Sequence, residues 1–510
     1  MVSLDGILHR PLMTRHVNPG LASLCAACSI TLSTPSSVDA QAVAPAAPSA
    51  SAPAPIRIGG VTIGGSVRVR GESWDWFESP PADASYVFGH ALVRLGAGYS
   101  NQRLDLMIEG SQPTIFGAPS NAVAAGPAGQ LGMGASYRAA NGEDRAGAFL
   151  KQAFVRFKDV GARGNMARLG RIEFVDGAET APSDSTVAWL KRERIAHRLL
   201  ANFAFSAAQR SYDAVHVARA TPGYNVTLMA GMPTEGVFQL DGQGTLTDIR
   251  VGYGALTLPF PWADFRLFGL RYEDRRPIAK VDNRPAAVRT TDRGALKVNT
   301  FGAHLVLARD VGRARADLTL WGAVQSGAWG AQDHRGSAFV VEGGVQPPLP
   351  LRPWLRVGFS QGSGDDTPAT AADDEHTTFY QMLPTPRIYA RTPFYNMMNS
   401  RDLFSSLILR PGRATSVRAE VHKVSLTRAT DLWYAGGGAF NETVFGYQGR
   451  PSGGHNGLAT LADIGADRAF GPMFSVGAYV GLVFGGGVVK ALHPTGEDGR
   501  FVYLEVTRRF

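Results

Sequence analysis

Cysteine is almost missing from this chain: there are two in 510 residues, Cys25 and Cys28. Two thiols build neither a disulfide framework nor a four-thiolate zinc site. Long apolar runs are missing too. No segment reaches the ~18 continuous apolar residues of a membrane-spanning helix, which excludes a helical membrane protein. Charge is sparse, at 18%, yet hydrophobic residues make up 44%, too many for a disordered chain. Catalytic signatures are absent: there is no HExxH, no Walker loop, no GxSxG elbow, and no CxxC pair beyond Cys25/Cys28. Internal repeats of propeller or solenoid length are absent as well. No metal or cofactor is implied.

What is present narrows the class. Sixty glycines, low charge and a mean hydropathy of -0.07 fit either a soluble all-β protein or a transmembrane β-barrel, in which alternate residues face water. At the N-terminus, Arg10, Arg15 and His16 precede the apolar stretch 20–32, and Val38 and Ala40 form a small-residue cleavage site before Gln41. Residues 1–40 therefore read as a secretory signal peptide. A lipoprotein signal at Cys28 is the weaker alternative, because Cys25 stands where an aliphatic residue is usual. Both cysteines leave with the leader, which suits passage through an oxidising periplasm. Residues 41–55 are an Ala/Pro/Ser linker.

From residue 56 onward the dominant period is two. Leu104, Leu106 and Ile108 alternate with Arg103, Asp105 and Glu109; Val417, Ala419 and Val421 alternate with Arg418, Glu420 and His422. Each segment has one apolar and one wet face. Eighteen such strands are expected, at 61–72, 88–99, 102–112, 148–158, 166–175, 212–219, 225–232, 247–258, 263–273, 297–308, 314–326, 336–346, 354–361, 400–409, 415–426, 460–469, 474–485 and 500–510. Segment 188–206 has helical spacing instead and reads as a short helix or ordered loop. Connections alternate short and long along the chain, with 113–147, 176–211, 274–296, 362–399 and 427–459 the long ones. The fold class is thus all-β: a transmembrane antiparallel β-barrel of residues 56–510, with short periplasmic turns and long extracellular loops. The terminal Phe510, with Val506, Leu504 and Val502 at alternate positions before it and Arg508 departing from the pattern, resembles the signal read by the outer-membrane barrel assembly machinery. Phe157, Phe174, Trp262, Trp354, Phe474 and Phe484 would sit in interfacial aromatic girdles. The location implied is the outer-membrane lipid bilayer of a bacterium.

A charge on the lipid face near the midplane costs about 2–4 kcal/mol, so strand Arg are expected inside. Arg68, Arg70, Arg94, Arg103, Arg315, Arg356 and Arg418 share the lumen phase with Glu72, Asp105, Glu109, Asp317 and Glu420. Arg rings favour anions and bind carboxylates bidentately. Arg paired with Glu across the lumen would instead brace the barrel and select little. The net charge of +8 is spread over many strands, with no compact basic patch for nucleic acid. The acidic loop Asp365-Asp366, Asp373-Asp374-Glu375 offers oxygens for Ca²⁺ but lacks the EF-hand pattern, so a solvated loop is the simpler reading.

The stretch Gly170-Arg171-Ile172-Glu173-Phe174-Val175-Asp176-Gly177-Ala178-Glu179 resembles the GR-x-E-F-x-D-G-x-E motif of the alginate export family. Arg194, Arg198-Leu199, Asn202-Phe203 and Arg210-Ser211-Tyr212-Asp213 are similar to its R…RL…NF…QRSFDG run, with Tyr212 for Phe and Ala214 for Gly. Further matching stretches are Gly362–Asp365, Phe379–Thr385, Asn399–Leu403 and Asp431–Tyr434. The resemblance implies an eighteen-stranded, anion-selective barrel that moves an acidic polysaccharide such as alginate. It implies Arg171, Glu173, Asp176, Arg198, Arg210, Asp213 and Arg401 as pore or constriction residues. Loop 176–211, which holds several of them, is expected to fold into the pore. The leading reading is a passive, monomeric channel for an anionic polysaccharide or small anionic solutes. Its rivals are a porin for small organic acids, an outer-membrane enzyme and an adhesive barrel.

Overall fold

The computed structural model describes residues 56–124, 129, 132–367, 374–386 and 389–510. The expected leader, the linker and Asp373 lie outside the described residues. Eighteen strands form the wall: β1 (Val61–Asp75), β2 (Ser85–Ser100), β3 (Leu104–Phe116), β4 (Phe149–Lys158), β5 (Asn165–Ile172), β6 (Tyr212–Ala220), β7 (Asn225–Pro233), β8 (Ile249–Phe260), β9 (Ala263–Asp274), β10 (Leu296–Val311), β11 (Ala314–Trp329), β12 (Gln332–Gln346), β13 (Trp354–Gly362), β14 (Ser400–Gly412), β15 (Thr415–Leu426), β16 (Gly457–Phe470), β17 (Phe474–Gly485) and β18 (Asp498–Arg509). Each pairs antiparallel with its sequence neighbours. The barrel closes where β1 pairs β18, from Ser66↔Arg509 to Asp75↔Arg500. Closure satisfies every strand edge, which a bilayer demands. Phe510 completes the seam, exchanging main-chain hydrogen bonds of 2.9 and 3.1 Å with Gly65. Gly65 is required there, since a Cβ would lie 2.3 Å from the Arg94 carbonyl oxygen.

All eighteen expected strands are found, and the eight expected short turns lie together at one end. The long connections share the other end, with one exception. β11 and β12 run on into a two-residue hairpin at Gly330-Ala331, closed by the pair Trp329↔Gln332. Gly330 supplies the positive φ of +64° that this turn needs. The expected strands 314–326 and 336–346 therefore each extend further, to Trp329 and from Gln332. The long loops carry helices α1 (Met133–Asn141), α2 (Ser185–Leu190), α3 (Ala286–Thr291) and α4 (Gly487–Leu492), and a small hairpin pairing Trp433–Gly436 with Tyr447–Arg450.

The period-two pattern becomes an outside and an inside. Val357, Leu403 and Phe301 are about 60% exposed on the outer face, whereas their neighbours Arg356, Asp402 and Thr300 are buried within. Phe157, Trp262 and Phe474 form an outward girdle at the short-turn end, joined by Phe260 and Phe470, and Phe484 faces outward toward the loop end. Arg309 lies over the Trp262 ring at 3.9 Å, where its long stem can reach the headgroup level. Phe174 and Trp354 do not belong to the girdles. Both are buried inside, because Phe174 follows the end of β5 and Trp354 faces the lumen.

Candidate channel lumen

β5 and β6 have only eight and nine residues, against sixteen in β10 and β11. They stop partway up the wall, and the 173–211 connection turns inward there. It then folds back on itself. Arg171 grips Asp213 through two bonds of 2.8 Å. The Asn202 amide donates to Glu173 at 3.1 Å. The Asp176 carboxylate accepts the N–H groups of Leu199 and Leu200 at 3.1 and 2.9 Å. The sequence motif residues are therefore the clasps of an inner loop. At its deepest point Asp184 caps α2, accepting from Thr186 and Val187 N–H at 2.9 and 3.0 Å, and also pairs with Arg315 near the short-turn rim. Loop 363–399 lies alongside: Leu383 and Thr385 N–H donate to the Leu199 and His197 carbonyls, each at 3.0 Å.

The wall holds this loop from all sides. Arg70 pairs with Glu505 at 2.9 Å, donates to the Phe205 carbonyl at 3.1 Å and stacks on the Phe205 ring at 3.7 Å. Arg68 donates to the Ala204 carbonyl at 2.6 Å. Arg94 bridges Glu109 and Glu173, at 2.9 and 3.0 Å. Lys191 meets Asp264 at 2.8 Å, and Arg266 meets Glu179 at 3.0 Å. Across the barrel, Glu342 receives Arg194 at 2.9 and 3.0 Å and Arg356 at 3.0 Å, with Arg198 at 3.7 Å; Arg356 also pairs with Asp317. Buried charges of this kind persist only when paired, and removing one partner typically costs about 3–5 kcal/mol.

Twelve of the fourteen sequence-expected site residues thus line or fill the interior. Arg68, Arg70, Arg94, Arg171, Arg315 and Arg356 are each ion-paired, and Arg418 lies 2.8 Å from Glu420. Their pairing matches the bracing alternative more than a bare cationic lining. Arg198 donates to the Arg194 carbonyl at 2.9 Å. Arg210 differs: among the described residues no carboxylate reaches it, and it donates to the Gly438 carbonyl at 2.9 Å between the rings of Phe203 and Phe440. Two expectations need correction. Arg103 sits in the exposed turn before β3, outside the alternating segment. Arg401 shares the outward phase of Leu403 and bonds Gln361 at 2.9 Å. It belongs with Arg250, Arg271, Lys297 and Lys423, all exposed on the outer face toward the loop end.

The sequence reading missed Lys151, Lys191 and Arg266, and named Arg194 as a motif match without a place in the pore; all four are buried among carboxylates. Arg266 was legible, since it alternates with outward Leu267. Lys191 was not, since it lies in a loop whose inward path depends on tertiary contacts. Among the described residues of the acidic loop, the Asp365 and Asp366 carboxylates face apart. Asp365 accepts from Thr367 N–H at 3.1 Å, while Asp366 pairs outward with Arg428 at 3.2 Å.

A cavity of about 350 Å³ opens above the inner loop, toward the long-loop end. Trp74, Phe203, Phe394, Trp433 and Phe440 line it, and Arg450 lies over the Trp433 ring at 4.5 Å. From sequence, Phe203 and Trp433 were named only within family-like stretches and the other three were not named. Four segments supply them: the upper end of β1, the inner loop, loop 363–399 and loop 427–456.

A closed eighteen-stranded barrel with an apolar belt, a polar interior and loops folded into the lumen is the architecture of a bacterial outer-membrane channel. The chain belongs to the alginate export family, whose model matches residues 61–502. None of the curated proteins compared matches it. Its fold is similar to that of solved outer-membrane proteins. OpdK from Pseudomonas aeruginosa, also solved with vanillate, is 10% identical, with a TM-score of 0.52 over 88% of this chain and 98% of that one. OccK2 (OpdF) from the same organism, in complex with glucuronate, gives 8% identity and a TM-score of 0.52 over the same shares. OccAB4 from Acinetobacter baumannii gives 8% and 0.52, again covering 88% and 98%.

Proposed function

We propose that this protein is a passive, monomeric, non-enzymatic channel for anionic solutes that carry both a ring and a carboxylate. A uronate is the reference solute and an acidic polysaccharide of linked uronates the larger cargo. The observation that carries the reading is the aromatic cavity with Arg450 at its wall. Flat aromatic faces hold a ring by its apolar side, and a guanidinium binds a carboxylate bidentately. The cavity's size suits one such ring. The vanillate and glucuronate bound by fold neighbours are solutes of this kind, which supports the choice. Lipid, and the assembly machinery that would read the C-terminal strand, are the other partners.

Among the described residues a hydrolase has one geometric candidate, Ser79 Oγ at 2.7 Å from His493 Nδ1. That nitrogen also faces the Glu78 carbonyl oxygen at 3.1 Å, an acceptor that calls for a proton on Nδ1. The ring is then no base toward Ser79, and among the described residues no carboxylate orients it.

The test is planar-bilayer conductance of the refolded chain, with the reversal potential in a salt gradient, then titration with glucuronate and oligouronate. An anion-preferring current blocked by these solutes is expected, with Trp433→Ala keeping the current and losing most of the block. Current without block would remove the ring-binding cargo, and no current would remove the channel.

A further inference from the structure

One cluster in the wall serves neither the inner-loop clasps nor the aromatic cavity. Glu420 and His422 stand two residues apart on β15, facing inward, and Asp463 on β16 is the register partner of Glu420. One ring nitrogen of His422 and one carboxylate oxygen from each acid lie within 4.8 Å of one another, and all three residues are buried. On the opposite side, Asp402 of β14 meets His422 Nδ1 at 3.0 Å, and Tyr395 Oη donates to Asp402 at 2.8 Å. His422 Nε2 is buried and has no hydrogen-bond partner.

We propose that Glu420, His422 and Asp463 bind a divalent transition ion of the Zn²⁺ class. Three arguments converge. The donor set of one imidazole and two carboxylates is a zinc-type set, whereas Ca²⁺ and Mg²⁺ prefer oxygen alone and more of it. Donors around a tetrahedral Zn²⁺ stand ~3.3 Å apart, so small side-chain rotations close the present spacing. The Asp402 contact is the carboxylate partner that a metal-bound histidine normally has, fixing the proton on Nδ1 and freeing Nε2 to ligate.

Charge adds a fourth argument. Three carboxylates, Asp402, Glu420 and Asp463, surround the site, and the cation touching them is Arg418, 2.8 Å from Glu420. The next cations inward are engaged elsewhere: Arg194 with Glu342, and Arg391 with Asp467 at 2.6 Å. A divalent ion on a neutral imidazole cancels the two remaining negative charges, which a buried site otherwise holds at high cost. The ion would staple β15 to β16 beneath loop 363–399, whose Tyr395 touches Asp402 and whose Thr392 bonds Tyr479 Oη at 2.7 Å; Tyr479 in turn bonds Asp463 at 3.0 Å.

The test uses the full chain refolded in detergent and stripped with chelator. Co²⁺ is titrated as the spectroscopic probe, by its visible d–d absorption, and is then displaced by Zn²⁺. One equivalent is expected. His422→Gln and Asp463→Asn should each weaken binding more than tenfold, and Asp402→Asn should weaken it by roughly 10–100-fold. His455→Gln, at an exposed loop histidine, should leave binding unchanged. Heat-modifiable gel mobility verifies folding of every variant. The proposal is overturned if wild-type chain binds no Co²⁺ or Zn²⁺, as it would if a protonated His422 neutralises the cluster. It is equally overturned if His422→Gln or, should that variant not fold, Asp463→Asn binds as tightly as wild type, or if Ca²⁺ competes better than Zn²⁺.

Discussion

Glu342→Gln tests whether the paired interior governs both loop docking and ion preference. The Glu342 carboxylate is fully buried and receives Arg194 twice, Arg356 once and Arg198 at longer range. Gln keeps the shape and removes the charge. Arg356 retains Asp317, but Arg194, whose Nε–H reaches the wall from the inner loop and is shared by both Glu342 oxygens, loses that carboxylate. Loss of one partner from such a pair costs about 3–5 kcal/mol, or about two to three and a half powers of ten in docking. The same change adds one unit of positive charge to a low-dielectric interior. Reversal potentials in a KCl gradient should move toward chloride. The shift should be larger near 0.1 M salt than near 1 M, because the screening length falls from about 10 Å to about 3 Å. Trypsin should cut more readily between Lys191 and Arg198, while Glu342→Asp should fall between wild type and Glu342→Gln. An unchanged reversal potential with unchanged proteolysis would refute the idea that this cluster both docks the loop and faces the ion path.

Three further outcomes are expected. Burial pushes the Asp431 carboxyl, in an extracellular loop, up to about 6 despite bonds from Thr378 and Tyr434. Its folded value lies above its unfolded one, so loop packing is strongest below about pH 4 and weakens as pH rises through about 6; hydrogen exchange in 427–436 should show this, and Asp431→Asn should abolish it. A double-mutant cycle on Arg171→Met and Asp213→Leu should give a coupling of roughly 1–3 kcal/mol in urea unfolding, and a value near zero would mean that this clasp does not hold the loop. Because Ile172 and Tyr212 are register partners, replacing 173–211 by Asn-Gly should give a folded barrel of several-fold higher conductance, and equal conductance would place the loop outside the ion path.

The wall was readable because a bilayer enforces the alternation over the membrane-facing part of each strand. Leu403 outside and Asp402 inside follow from one free-energy difference, applied residue by residue. Arg401 shows the limit of motif matching: its phase with Leu403 was visible in the sequence and should have outweighed its position in a family stretch. The inner loop was half readable. Its motif residues were singled out, but their partners, such as Arg94 for Glu173 and Glu342 for Arg194, lie far away in sequence and are set by where β5 and β6 stop. The aromatic cavity was not readable as a cavity. Trp74, Phe203, Phe394 and Trp433 come from four separate segments; Phe203 and Trp433 stand in family-like stretches, but nothing local brings the four together.

Pairing also changes what an arginine-rich interior can do to a passing anion. An unpaired guanidinium in a low-dielectric lumen would bind a polyanion tightly, and conduction requires that the solute also leave. A guanidinium already held by Glu505 or Glu342 offers weaker net attraction, and exchange of carboxylate for carboxylate costs little when the geometry is alike. Arg210 and Arg450 lie instead among aromatic rings. There a solute's ring can share the contact and its carboxylate need not be stripped of water on every side. On this argument selectivity arises in the upper cavity, while the paired residues below set the width of the path. Charge substitutions at Arg450 should therefore change solute block more than conductance, and those at Glu342 the reverse.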